Sequence, residues 1–272
     1  MKNVQNIKSE LKRLDNGNLE ISYTIPAEVI LKAKSEALIE YAKTAVIAGF
    51  RKGKAPIAKV EENVSEEGLT EHILNHLLPN AFTKSVEEHK FKPAMYPKFE
   101  AHKITSSKNV ADNTEWQIKA VTCELPEVKI DKDLKKKLSK DPKDQNVLIK
   151  SIVEQVNLKI PRLLIEEEVN GRLSQVLDRI EKLGLTLEGY LKSVGKTPEG
   201  LRKEYEDQAF EAISLELILN EVSNSQKIDV SESEIDDFIK TTGEDKTKVG
   251  AEQRKVLKRV ILRRKALEFL EK

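Results

Sequence analysis

Asp15-Asn16-Gly17-Asn18-Leu19-Glu20-Ile21-Ser22-Tyr23-Thr24-Ile25-Pro26-Ala27 is the stretch from which the fold can be read outward. Leu19, Ile21, Tyr23 and Ile25 alternate strictly with polar residues, which predicts a strand over 18–25 with one buried face. Asn-Gly ahead of it is the strongest short hairpin signal, so residues 4–14, with Ile7, Leu11 and Leu14, are expected to form the antiparallel partner. Pro26 ends the strand and suits the start of a helix, where its fixed φ is already correct and its missing N–H is not needed. Ile30, Ala33, Ala37, Leu38 and Tyr41 then recur at helical spacing to about Ala45.

Beyond that helix, Gly49 to Pro56 is a breaker segment, followed by a helix pair over 57–89 with Leu69, Ile73, His76, Leu77 and Phe82 on one face. Strand patterns return at 98–104 and 114–121, where Trp116, Ile118 and Ala120 alternate. The order ββααββ predicts an α+β domain, a small antiparallel sheet with helices on one face. Leu125-Pro126-Glu127-Val128 reads as a boundary, followed by a charged stretch over 131–144 that contains Asp141-Pro142. Everything after it is helical. Leu148, Ile152 and Val156 form one stripe; Pro161 opens a helix carrying Ile165, Val169, Leu173, Val176, Ile180 and Leu183. Thr197-Pro198 is an N-cap with Pro at the first helical position, Ser231 to Glu234 is a capping box, and a last helix is expected over 251–270. With aromatics at only 5%, the expected second domain is an all-α, extended set of helical arms with grooves.

Length and composition agree with two domains: 272 residues, 39% hydrophobic and 34% charged. Lys+Arg at 47 against Asp+Glu at 46 argues against a polybasic nucleic-acid binder as a whole. A single cysteine excludes a disulfide framework or a multi-cysteine metal site. No apolar run approaches the roughly 18 residues of a membrane span, and the start lacks a secretory core. The expectation is a soluble, cytoplasmic protein with no membrane partner.

Catalytic patterns are sparse. His72 and His76 have metal-ligand spacing, but Ile73-Leu74-Asn75 between them lacks the glutamate of a zinc protease, and no third ligand stands out. Cys123, near a strand end without a basic neighbour, reads as a small buried hydrophobe. Gly49-Phe50-Arg51-Lys52-Gly53-Lys54-Ala55 imitates a phosphate loop, yet three residues rather than four separate the glycines, and Ala55 replaces the magnesium-binding hydroxyl. No catalytic residue, metal or cofactor is therefore expected. The same segment is informative in another way. From Tyr41 to Val60 there are five cations, Lys43, Arg51, Lys52, Lys54 and Lys59, and no acid. Phe50 beside them offers phosphate or carboxylate contact together with an apolar anchor; the bland alternative is a solvated basic loop whose Phe50 tucks into the core.

The run Gly49-Phe50-Arg51-Lys52-Gly53-Lys54-Ala55-Pro56 resembles the Gly-Phe-Arg-x-Gly-Lys-x-Pro signature of bacterial trigger factor, the ribosome-associated chaperone. Ile25-Pro26-Ala27, Glu124-Leu125-Pro126-Glu127-Val128, Ile160-Pro161-Arg162-Leu163-Leu164-Ile165-Glu166-Glu167-Glu168-Val169 and Ile228-Asp229-Val230-Ser231 are similar too, so the resemblance spans nearly the whole chain. It implies a ribosome-binding domain at 1–128, a linker and first helix at 129–160, and a helical client-binding domain at 161–272. It also implies that Gly49, Phe50, Arg51, Lys52, Gly53 and Lys54 dock on the large ribosomal subunit, against an exit-site ribosomal protein and 23S rRNA. The other partners implied are unfolded or nascent polypeptides, held without ATP, and a second copy of the chain when free of ribosomes. Client-contacting residues cannot be named from the sequence. The family usually carries an FKBP-type prolyl isomerase domain of about 100 residues between the halves, whereas Lys129 to Ile160 leaves far too little chain for one. The expectation is a form without that domain and not an enzyme. Two alternatives stay beside it: a prolyl isomerase of the same family, and an RNA-binding or assembly protein using the basic run Arg254, Lys255, Lys258, Arg259, Arg263, Arg264 and Lys265.

Overall fold

The computed structural model describes residues 6–131, 133–138, 145–241 and 249–271. Residues 4 and 5 of the expected first strand, and Asp141-Pro142, lie outside them. The chain divides into two compact units, Met1–Leu125 and Pro126–Lys272.

In the first unit β1 (Lys8–Arg13) and β2 (Asn18–Pro26) form the antiparallel hairpin, in register Leu11 to Ile21. Gly17 makes the turn at φ +81°, and Asn18 O accepts from Leu14 N at 2.9 Å. α1 (Ala27–Thr44), α2 (Ile57–Asn63) and α3 (Glu66–His89) follow, then β3 (Lys98–Lys103) and β4 (Glu115–Cys123). The sheet order is β1-β2-β4-β3, with every pairing antiparallel. Tyr23 lies opposite Ile118, Ile25 opposite Trp116 and Ile21 opposite Ala120. Because side chains alternate faces, these six share one face, where they are buried with Ile30, Ala33 and Ala37 of α1 and Leu69, Ile73 and Leu77 of α3. The helices therefore cover one face of the sheet. On the other, Lys119 pairs with Glu20 at 3.2 Å. Trp116 is fully buried and its indole N–H donates to Thr105 Oγ1 at 3.2 Å; truncating such a residue to Ala costs about 3–5 kcal/mol. β3 forms as expected but buries none of its residues, because it is an edge strand.

The second unit holds α4 (Leu134–Lys137), α5 (Gln145–Val156), α6 (Arg162–Lys182), α7 (Leu187–Ser193), α8 (Pro198–Ser225), α9 (Glu232–Thr241) and α10 (Ala251–Glu271). Leu148 and Ile152 of α5, Ile218, Leu219 and Val222 of α8, and Ala266 and Leu270 of α10 make one core. Leu134, Leu138 and Ile160 join it, so the described parts of the stretch between the two expected domains are packed into the helical unit. Val230, Ile235, Ile239 and Ile261 make a second, smaller core between α9 and α10. The caps form as the sequence predicts. Thr197 Oγ1 accepts from Gly200 N at 3.0 Å, and Ser231 and Glu234 bond reciprocally, at 2.9 Å from Ser231 N and 3.3 Å from Glu234 N. Among the described residues no helix is long and apolar enough to cross a membrane.

Candidate functional site

The six residues singled out as Gly49 to Lys54 fall in the loop joining α1 to α2. Ala45 N donates to Tyr41 O at 2.9 Å and closes α1, after which Phe50 N donates to Ile47 O and Lys54 N to Arg51 O, at 3.0 and 2.9 Å. Both glycines have left-handed backbone, φ +83° at Gly49 and +76° at Gly53. A β-carbon on Gly53 would sit 3.0 Å from Lys43 O, so the return limb of the loop lies against the last turn of α1 and requires glycine there. Gly53 N donates to Ala45 O at 3.4 Å on the same side. Several of the loop's N–H groups are thus engaged within the loop, which separates it from a phosphate-cradling nest.

Ala45, Ile47 and Ala55 pack on the sheet-and-helix core and anchor the loop. Phe50 does not tuck in: it is 42% exposed, and Val46 is 81% exposed nearby in the chain. Arg51, Lys52 and Lys54 are exposed, and among the described residues none has a carboxylate within ion-pair distance. Lys59 at the start of α2 is paired with Glu62 at 2.7 Å. The result is an aromatic ring and three uncompensated cations on a short, internally bonded loop. Such a group can meet a phosphate or carboxylate surface while burying a ring.

The other polar candidates are accounted for by structure. His72 faces Glu40 at 2.8 Å and His76 faces Glu36 at 3.2 Å, both pairs linking α3 to α1. No group of three or more such side chains among the described residues could hold a metal ion. Cys123 is buried, and burial pushes its thiol from 9.0 to about 11, which keeps it protonated and unreactive. The basic run on α10 is largely compensated from α8, α9 and the segment between them. Arg254 reaches Glu232 and Asp236 at 2.6 and 2.7 Å, Lys258 reaches Asp229 at 3.0 Å, and Lys265 and Arg263 pair with Glu234 and Glu216. Lys255 and Arg264 pair within α10 itself. That pattern fits a helix fastened to its neighbours better than a nucleic-acid interface.

Sequence reasoning named no client-binding residue; the helical unit has an open apolar surface. A cavity of about 300 Å³ lies among α6, α7 and the start of α8, walled by Leu173, Val176, Leu177, Leu187, Leu191 and Leu201, with Glu199 and Arg202 also lining it. Leu177 and Leu187 are 47% and 42% exposed, and Leu183, read as part of the α6 stripe, is 72% exposed because α6 ends there. Leu185 N donates to Ile180 O at 3.0 Å and Gly184 N to Glu181 O at 2.9 Å, with Gly184 at φ +67°, a Schellman ending that turns the chain back into α7. The signal in the sequence was Leu183-Gly184-Leu185-Thr186-Leu187, leucines around a helix-stopping glycine.

A family model described as bacterial trigger factor protein (TF) matches residues 7–158, and one described as bacterial trigger factor protein (TF) C-terminus matches residues 127–272. The chain belongs to the trigger factor family. The trigger factor of Syntrophomonas wolfei is 25% identical over 198 residues, 67% of this chain and 39% of that protein. That of Carboxydothermus hydrogenoformans is 35% identical over 91 residues, 34% of this chain and 21% of its own length. The matched part therefore spans well under half of these relatives. A solved structure concerning promiscuous substrate recognition in folding and assembly activities of the trigger factor chaperone superposes with a TM-score of 0.66. It covers 96% of this chain and 99% of its own, at 14% identity, which establishes the shared fold. The two family matches overlap across 127–158 and the second compact unit begins at Pro126, so no stretch of chain remains between the halves for an inserted isomerase domain.

Proposed function

We propose that this chain is an ATP-independent chaperone that docks through Gly49 to Lys54 beside the exit tunnel of the large ribosomal subunit and shields nascent or unfolded polypeptides. The observation that carries the docking half is the loop itself: Phe50, Arg51 and Lys52 stand exposed and uncompensated between two left-handed glycines, in a chain of the trigger factor family. Arg51 and Lys52 suit rRNA phosphates and acidic side chains of an exit-site ribosomal protein, while Phe50 contributes apolar burial. Residues 1–128 serve docking, 129–160 supply the linker and the first helix of the helical domain, and 161–272 hold clients along apolar grooves such as the one under Leu177 and Leu187. The setting is the cytoplasm, where ribosomes and nascent chains meet. Prolyl isomerisation is not part of the activity. With uncatalysed X–Pro exchange taking tens of seconds, an unaccelerated rate in a proline peptide at high protein concentration is the expected outcome, and a rate that climbs with protein would contradict it.

Ribosome co-sedimentation tests the docking. The Phe50→Ala, Arg51→Ala, Lys52→Ala triple variant should lose binding while its helical circular dichroism stays unchanged. Raised salt should weaken the wild-type complex, because phosphate contacts displace counterions. A folded triple variant that still sediments with ribosomes would refute the assignment.

A further inference from the structure

The docking loop is tied at both ends to one turn of helix. Its outgoing limb leaves where Ala45 N bonds to Tyr41 O at 2.9 Å, and its return limb rests where Gly53 N bonds to Ala45 O and a β-carbon on Gly53 would meet Lys43 O. Whatever fixes residues 41–45 against the rest of the domain therefore fixes where Phe50, Arg51 and Lys52 point.

The side chain of Tyr41 reaches from that turn to α3. Its hydroxyl donates to Gly68 O at 3.0 Å, and its ring meets the His72 ring at 5.0 Å between centroids. His72 in turn is held by Glu40, the neighbour of Tyr41 on α1, at 2.8 Å. Gly68 completes the arrangement. It is the third residue of α3, in the capped first turn. A β-carbon there would lie 2.9 Å from the capping Ser65 Oγ and 3.6 Å from the Tyr41 hydroxyl oxygen. With no side chain there, the close contact with the cap oxygen is avoided, Gly68 N donates to Ser65 Oγ at 3.1 Å, and the Gly68 carbonyl accepts from Tyr41. The reach is long in sequence, 27 residues, and short in space.

We propose that Tyr41 is a positioning residue for docking: through Gly68 and His72 it sets the aim of the loop that carries Phe50, Arg51 and Lys52. The proposal rests on the loop being the docking element, and its test separates the two. Tyr41→Phe removes the hydroxyl and keeps the ring on His72; Tyr41→Leu removes both. In the full chain, nitroxides at Lys52→Cys and at Glu87→Cys on α3 report the loop's place in the first unit, and buried Cys123 stays unlabelled. Tyr41→Phe should broaden or shift that distance distribution and Tyr41→Leu should do so further. Ribosome affinity should drop roughly three- to tenfold in Tyr41→Phe, the range of a single net hydrogen bond. Gly68→Ala, whose β-carbon would press on the Ser65 cap oxygen at 2.9 Å and so shift the turn that presents the Gly68 carbonyl, should act in the same direction and add little to Tyr41→Phe when the two are combined.

Affinity is compared well below the unfolding midpoint of each variant, so a role confined to stability would lower the midpoint and leave distance and affinity alone; that result overturns the proposal. So does a shifted distance with unchanged affinity, in a protein whose triple loop variant fails to bind. If the triple variant binds like wild type, the docking reading fails by itself. The distance distribution then decides alone whether Tyr41 aims the loop, an unchanged distribution overturning it.

Discussion

Gly49 and Gly53 are separated by three residues and share a left-handed backbone, yet their surroundings make different demands. Nothing lies within 4 Å of a β-carbon built on Gly49, whereas on Gly53 it would be 3.0 Å from Lys43 O. Alanine at Gly49 should therefore cost the left-handed penalty alone, roughly 1–2 kcal/mol, and alanine at Gly53 distinctly more, since a backbone carbonyl must give way. Trp116, the single tryptophan of the chain, is buried in the first unit, so its fluorescence follows that unit's thermal unfolding without interference from the helices. Equal midpoints for Gly49→Ala and Gly53→Ala would mean that the return limb does not rest on α1 as described. The loop residues were visible in the sequence because breakers bracket a run of one sign of charge. Tyr41 was visible only as one more apolar position of a helix; its role depends on a carbonyl and an imidazole of another helix, which periodicity does not encode.

Among elements, α9 and α10 show most clearly what pairing across helices does. Glu234 is drawn on from three directions: Lys265 Nζ, the backbone N–H of its own cap residue Ser231, and the Ser231 hydroxyl, in that order of effect, and together they hold its carboxyl at about 2 rather than 4.5. The folded value is depressed, so this contribution to stability is complete above pH 4.5 and is lost as pH falls toward 2. Replacing Lys265 by Met should move the Glu234 carboxyl back toward its ordinary range in a carboxyl-resolved NMR titration. An unmoved titration would show that the cap alone depresses it. The cap itself could be read from Ser231-Glu232-Ser233-Glu234, because its partners lie within one turn. The fate of the basic run on α10 could not be, since Glu216, Asp229, Glu232, Glu234 and Asp236 come to it from α8, α9 and the segment between them. Likewise the hairpin around Gly17 and the alternation of β2 announced themselves by local pattern, while the edge position of β3 followed only from which strand β4 chose to pair with. The leucine groove needed the Gly184 turn, which folds α7 back onto α6, before scattered leucines became one surface.

At the scale of the whole molecule, two compact units with separate cores suggest two separable activities. The helical unit begins at Pro126 and carries its own core from Leu134 through Leu270, with N-caps at Thr197 and Ser231. A fragment from Pro126 to Lys272 should accordingly fold alone, as judged by helical circular dichroism. It should also slow aggregation of a chemically denatured client without ATP. Glutamate at both Leu177 and Leu187 is the sharper probe. Each side chain is more than two-fifths exposed, so the charges can reach water and the helices should survive, yet the groove then offers carboxylates where a client's apolar side chain would be desolvated. Light scattering of the refolding client should show most of the fragment's protection gone in that double variant, in the full chain as well as in the fragment. Ribosome co-sedimentation of the full-length double variant should be unchanged, because the loop proposed for docking belongs to the other unit. Full protection by a folded Leu177→Glu, Leu187→Glu variant would refute the proposal that this groove holds clients and shift attention to the other apolar stretches of α5 and α8.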